Sequence, residues 1–203
     1  MYALVENNQI TKYFQNPKGF TLNGNQYSAD IFTKWSQAEK EAIGIYEVIT
    51  DSTNYKDPAY YNNTNEQYSF ANNQVTKSWG TATPKRLNDE NAVDEDGNNI
   101  LENGVQVINY GLKTEKKKIV KQQASNLLAP TDWYVVKATE VADYDIPANI
   151  LSFRADVRTK SNEMETMINN CTTVDELKAL YEYTEQQDGT FTRPLPEFPT
   201  EVI

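Results

Sequence analysis

Apolar and polar residues alternate through the first part of the chain, whereas the last part spaces its apolar residues three and four apart; the two periods predict strands first and helices afterwards. Residues 2–6 and 9–14 flank Asn7-Asn8, a dipeptide suited to the positive φ of a two-residue turn, so the chain opens on a hairpin. Asn23-Gly24-Asn25 sits between Phe20-Thr21-Leu22 and Gln26-Tyr27-Ser28, marking either two short strands or an ordered loop. Ser36 and Glu39 have capping-box spacing and Gly44 stands where a helix would stop; residues 45–50 then alternate as a strand. Trp35 is expected to pack on the domain rather than on this helix. Residues 67–70 and 74–79 flank Ala71-Asn72-Asn73 as another hairpin, ended by Pro84.

Past Gly111 the pattern changes. Residues 113–129 contain no glycine or proline, and Val120, Ala124, Leu127 and Leu128 recur at helical spacing, which predicts a long amphipathic helix halted by Pro130. Asp132-Trp133-Tyr134-Val135-Val136-Lys137 is expected to run extended, with Trp133 a buried plug between helices. Asp145 is placed to cap a helix entered through Ile146-Pro147. Ile150, Phe153, Val157, Met164, Met167, Ile168 and Cys171 form its apolar stripe, with a break expected near residues 160–162 and Asn162 recapping against Glu165. Thr173 and Glu176 make a second capping box, starting a last helix with Leu177, Leu180 and Tyr181 on one face. Asp188-Gly189 turns the chain into a proline-rich segment that reads as extended.

The fold class expected is therefore α+β: a small β-rich N-terminal domain with one short helix, then a mostly helical module and an extended proline-rich tail. The boundaries fall at residues 1–87 (β-rich), 88–110 (acidic hairpin or linker), 111–187 (helical) and 188–203 (tail).

Composition narrows the chemistry. A net charge of −10 and a pI near 4.6 repel phosphate backbones, which argues against nucleic acid as a partner. The five lysines of residues 113–121 read as the solvated side of a helix. With no histidine there is no imidazole base and no zinc site of the His-containing kinds; with one cysteine there is no intrachain disulfide. No catalytic, cofactor or metal residues are assigned, and the chain is expected not to be an enzyme. Asp94-x-Asp96-x-Asn98 begins like a calcium loop, but Asn99 and Val105 stand where that loop needs glycine and glutamate. The absence of a long apolar run or signal-like leader predicts a protein made and kept in the cytoplasm, without a membrane.

Three groups of residues remain as binding candidates. Arg154 and Arg158, one helical turn apart, suit a carboxylate or phosphate clamp, although Asp132, Glu140, Asp143 and Asp145 lie near enough in sequence to pair with them, and the structural role is the one expected. Tyr60 and Tyr61 lie in a loop rich in Asn, Asp and Tyr (residues 51–65). The tail offers Arg193, Leu195, Phe198 and Ile203, either in a partner's groove or disordered.

Leu127, Leu128, Thr131, Asp132 and Trp133, followed by Phe153, Arg154, Val157 and Arg158, resemble the C-terminal module of bacteriophage tail-fibre assembly chaperones. That family carries Leu-Leu-x-x-Thr/Ser-Asp-Trp and then Tyr-Arg-x-x-Leu/Val-Arg. Phe153 replaces the tyrosine, and Phe198-Pro199 stands where the family commonly has Trp-Pro. The resemblance spans residues 111–199; residues 35–48 are similar in character to the amino-terminal segment of tail proteins of marine phages. It implies a non-enzymatic helper that binds the distal β-rich part of a tail fibre in the host cytoplasm and assists its folding or trimerisation, in some cases staying at the fibre tip. The alternative to this reading is a permanent structural protein of the virion tail or baseplate, and self-association stays open. The client-binding positions expected are Tyr60, Tyr61, Arg193, Leu195, Phe198 and Ile203; the motif residues would hold the module together.

Overall fold

Asparagine sets the turns of the N-terminal half. In the computed structural model, which describes residues 1–200, Asn7, Asn8, Asn23, Asn72 and Asn73 all take positive φ near 50–60°, a region asparagine tolerates better than other side chains that carry a Cβ. The chain divides into two units, residues 1–83 and residues from 84 onward.

In the first unit β1 (Tyr2–Glu6) and β2 (Gln9–Phe14) form the expected hairpin about Asn7-Asn8, and β3 (Phe20–Leu22) pairs with β4 (Asn25–Tyr27) about Asn23-Gly24. Two short helices follow rather than one: α1 (Ile31–Lys34), whose Ile31 and Phe32 are buried, and α2 (Gln37–Ala42), started by the Ser36–Glu39 capping box. The helix α1 has no side-chain cap and is only one turn long; burial of its two apolar residues holds it, which a sequence pattern this short does not reveal. Next come β5 (Ile45–Thr50), β6 (Tyr61–Asn62), the hairpin β7 (Gln67–Ala71) and β8 (Gln74–Ser78), and β9 (Thr83–Pro84) at the boundary.

The main sheet has the order β2-β1-β5-β8-β7, antiparallel except where β5 runs parallel to β8. Leu4, Phe14, Ile31, Phe32 and Ile45 form the core, with Tyr2, Phe20, Tyr27 and Trp35 packed around it. Trp35 meets Tyr27 edge-on at 5.9 Å, as its position before the cap led us to expect. Tyr13 of β2 and Tyr68 of β7 lie 4.8 Å apart, so the two edges of the sheet curl toward each other.

The second unit begins with β10 (Glu90–Asn91), β11 (Leu101–Glu102), β12 (Val105–Gln106) and β13 (Ile108–Asn109), paired as β10 with β13 and β11 with β12. These residues belong to the helical unit rather than to a separate linker. Gly111 N donates to Asp89 Oδ1, and Leu112 N and Lys113 N donate to the carbonyls of Arg86 and Leu87. The first donors of α3 (Leu112–Leu128), which a glycine N-cap cannot satisfy with a side chain, are thus met from the segment of residues 86–89 upstream. The approach is close: a Cβ on Gly111 would lie 2.5 Å from the Asn88 carbonyl.

After α3, a 3-10 turn (Ala129–Thr131) leads into α4 (Asp132–Glu140), then α5 (Ala148–Asn170), α6 (Val174–Ala179) and a last pair of short strands, β14 (Thr184–Glu185) and β15 (Phe191–Thr192). Three expectations are corrected here. Residues 132–137 are helical, not extended, because Pro130 sits in the first turn of the 3-10 segment, where a missing N–H costs nothing. The break expected near residues 160–162 is absent. Ile150, Phe153, Arg154, Val157, Ser161, Met164 and Ile168 form one continuous buried face, and packing on α3 overrides the local preference of Ser161-Asn162 for a cap. The helix starts after Pro147, with no side-chain cap from Asp145. The Thr173–Glu176 capping box forms as expected.

Lys117 bonds Asn169 and Lys121 pairs with Glu165, while Leu128 meets Arg154, so α3 and α5 run antiparallel. Ala124, Phe153 and Val157 form the core of this pair, with Leu127, Leu128 and Phe198 packed against it.

Candidate interaction surface

The end of α3 presents a problem common to all helices: its last carbonyls have no partner within the helix. Here the Leu128 carbonyl accepts from Thr131 Oγ1 at 2.8 Å and from Arg154 Nη1 at 3.0 Å. The same Arg154 nitrogen donates to Thr131 Oγ1 at 2.5 Å, and Nη2 lies 2.8 Å from Asp132 Oδ1. Arg154 is buried at 6% exposure, whereas the Asp132 side chain keeps 60%. The guanidinium therefore ties the closing turn of α3 and the start of α4 to the N-terminal part of α5. Leu128, Thr131 and Asp132 thus meet Arg154, which is distant in the sequence, at one point.

Beyond this knot α4 buries no residue. Trp133 is 52% exposed, which corrects its expected role as a buried plug; once residues 132–137 coil, only Tyr134, Lys137 and Ala138 turn partly inward. The Trp133 and Tyr134 rings lie 3.9 Å apart, and the Lys137 ammonium sits over both Trp133 and Tyr144 at 5.7 and 4.2 Å. Val135, Val136 and Val141 are also exposed. A cleft of about 200 Å³ opens beside this cluster, lined by Pro130, Trp133, Tyr134, Pro147 and Ile150. The sequence carried the signal for this surface in the apolar run from Trp133 to Val136, but an extended reading divided those residues between two faces.

The other expected contact residues are placed differently. Tyr60 and Tyr61 are buried at 5% and 3%, with Lys56 over the Tyr61 ring at 4.4 Å, so they belong to the interior of the first unit and are not a contact surface. Leu195 is buried, its N–H donating to the Leu180 carbonyl at 3.0 Å, and Phe198 packs on the α3–α5 core. Arg193 Nη2 donates to Glu197 Oε2 at 2.9 Å, and its guanidinium stacks on Tyr181 and Tyr183. Its Nε comes within 2.8 Å of Oε1 without the alignment of a hydrogen bond. Tyr183 donates to the same carboxylate, which pushes its own phenol pKa up. Leu195, Phe198 and Arg193 are thus engaged within the chain. Ile203 lies outside the described residues.

A second recess, of about 440 Å³, lies between α3 and α5 and is lined by Lys121, Ser125, Asp132, Arg154, Arg158 and Ser161 among others. Arg158, unlike Arg154, is exposed.

Hydrogen bonds from the Asn98 backbone N–H and side-chain amide, and after them from the Asp96 N–H, hold the Asp94 carboxyl below the usual range; the loop that begins like a calcium site closes on itself. Among the described residues no group of three or more His, Cys, Asp or Glu converges as a metal site, and no helix is long and apolar enough to cross a membrane. Burial, and after it the charge of Glu176, raises the Cys171 thiol pKa, the opposite of what a nucleophile needs.

Comparison with family models, with curated proteins and with solved structures finds no match to this chain.

Proposed function

We propose that this protein is a tail-fibre assembly chaperone. It acts by binding and without catalysis: it covers the distal part of a phage tail fibre during folding or trimerisation in the host cytoplasm and in some cases stays at the fibre tip. The observation that carries this reading is the outward placement of Trp133, Val135 and Val136 on α4, a helix whose position is fixed by a buried arginine. Unassembled β-rich fibre ends carry open strand edges and apolar patches that need temporary cover. A rigid aromatic on a short helix supplies such cover at little entropic cost, since the helix is already held in place. The acidic net charge keeps the chaperone from self-aggregating through the same face. The proline-rich segment, read from sequence as a client contact, serves in this proposal as an internal strap over the helices, and the client face moves to α4.

The test is co-expression with the tail-fibre protein of the same phage. The chain should raise the yield of SDS-resistant fibre trimer and be recovered with the fibre on pull-down, and the double substitution Trp133→Ala/Val136→Asp should remove both effects while leaving the circular dichroism spectrum unchanged. Recovery of no tail protein, or full activity of the double variant, overturns the proposal. Presence in purified virions at a fixed ratio to the fibre would replace it with a permanent tail component.

A further inference from the structure

The geometry points to a carboxylate-binding notch between α3 and α5, built on Arg158, that receives an acidic side chain or a chain end of the client polypeptide. That the client is a tail fibre rests on the function proposed above; the notch itself does not.

The charges in this recess are unequally engaged. Arg154 is committed to Asp132, Thr131 and Leu128. Lys121 Nζ lies 3.3 Å from Glu165 Oε2. Arg158 makes one hydrogen bond among the described residues, from Nη1 to the Arg154 carbonyl at 3.3 Å, and no ion pair, so most of its donor fork is unengaged. That bond also limits its freedom: the carbonyl holding Arg158 belongs to Arg154, itself anchored by Leu128, Thr131 and Asp132.

The balance of charge chooses the ligand. Lys121, Arg154 and Arg158 face the carboxylates of Asp132 and Glu165, leaving one positive charge unmatched. A singly charged carboxylate matches it and fits the planar fork of an arginine in two-point contact. A phosphate dianion would bring a second negative charge against the exposed Asp132, on a chain that is already strongly acidic. The Ser125 hydroxyl and the Asn162 amide line the notch as neutral donors, while Ala124 and Leu128 give an apolar wall for the methylenes that precede a carboxylate.

The full-length ¹⁵N-labelled protein is titrated at constant ionic strength with sodium acetate, with inorganic phosphate, and with two short peptides that differ only in a free or amidated C-terminus. Acetate and the free-carboxylate peptide should cause saturable shifts of the Ser125, Ser161 and Asn162 amides; phosphate should bind more weakly and the amidated peptide not at all. Arg158→Gln should weaken binding about tenfold or more, as expected for a lost hydrogen bond to a charged group, with Arg158→Lys intermediate and the rest of both spectra unchanged. Shifts that never saturate, that are the same in R158Q, or that favour phosphate over acetate overturn the inference. Failure of the wild-type chain to capture a fibre while these titrations succeed would remove the proposed function and leave the notch standing.

Discussion

Arg154→Met is the sharpest perturbation the structure offers. Methionine keeps much of the buried volume but donates no hydrogen bond, so the loss falls on three acceptors. The Leu128 carbonyl keeps its bond from Thr131 at 2.8 Å and is only partly deprived. Thr131 Oγ1, in a residue buried at 4%, loses its 2.5 Å donor. Asp132, with 60% of its side chain exposed, returns to water, so its ion pair contributes under about 1 kcal/mol after screening. Hydrogen bonds to a charged donor contribute about 1.5–3 kcal/mol each, and with the Leu128 bond partly replaced we expect Arg154→Met to cost about 2–4 kcal/mol. Asp132→Asn should cost no more than about 1 kcal/mol. Urea denaturation followed by circular dichroism measures both, as a fall in midpoint with the slope unchanged. An R154M within about 0.5 kcal/mol of wild type would refute this role of Arg154, and a D132N as costly as R154M would make the ion pair, not the carbonyl contact, the anchor.

Trp133→Ala should change stability by less than about 1 kcal/mol, because the ring is more than half exposed; a loss of about 3 kcal/mol or more, the cost of emptying a core aromatic site, would refute its place on the surface. Gly111→Ala should destabilise by about 1–3 kcal/mol through collision with the Asn88 backbone, measured by thermal melting, and an unchanged melting temperature would refute the close approach of residues 88 and 111. Hydrogen bonds from Thr172, the backbone first and then the hydroxyl, hold the Glu176 carboxyl below its ordinary range, as Ser36 does for Glu39. Both pKa values are lowered on folding, so their stabilisation is complete above the unfolded value of about 4.3 and is lost as pH falls through the lowered native value. The melting temperature of Thr172→Ala, which removes the hydroxyl bond to the Glu176 carboxylate, should therefore fall less steeply than that of wild type on acidification below pH ~4, and parallel curves would show that this bond does not set the acid sensitivity.

Much of this architecture is legible in local chemistry. The asparagine turns, the two capping boxes and the long helix from Leu112 to Leu128 depend on contacts within a few residues, and they appear where the pattern puts them. The misreadings share one cause. Residues 132–137, the continuity of α5 through Ser161, and the burial of Tyr60 and Tyr61 all depend on what packs against them. The candidate surface divides in the same way: Thr131, Asp132, Trp133 and Arg154 stood out in the sequence, but which of them faces inward was not encoded in their spacing.

The sequence alone determined the alternation of β-rich and helical parts, the positions of turns and caps, and the exclusion of histidine chemistry, because each follows from residue type and short-range geometry. Tertiary structure decided that Arg154 would bond the end of α3, that Trp133 would face solvent and that Leu195 would be buried. A side chain's exposure is set by the elements folded against it, and those come from distant parts of the chain.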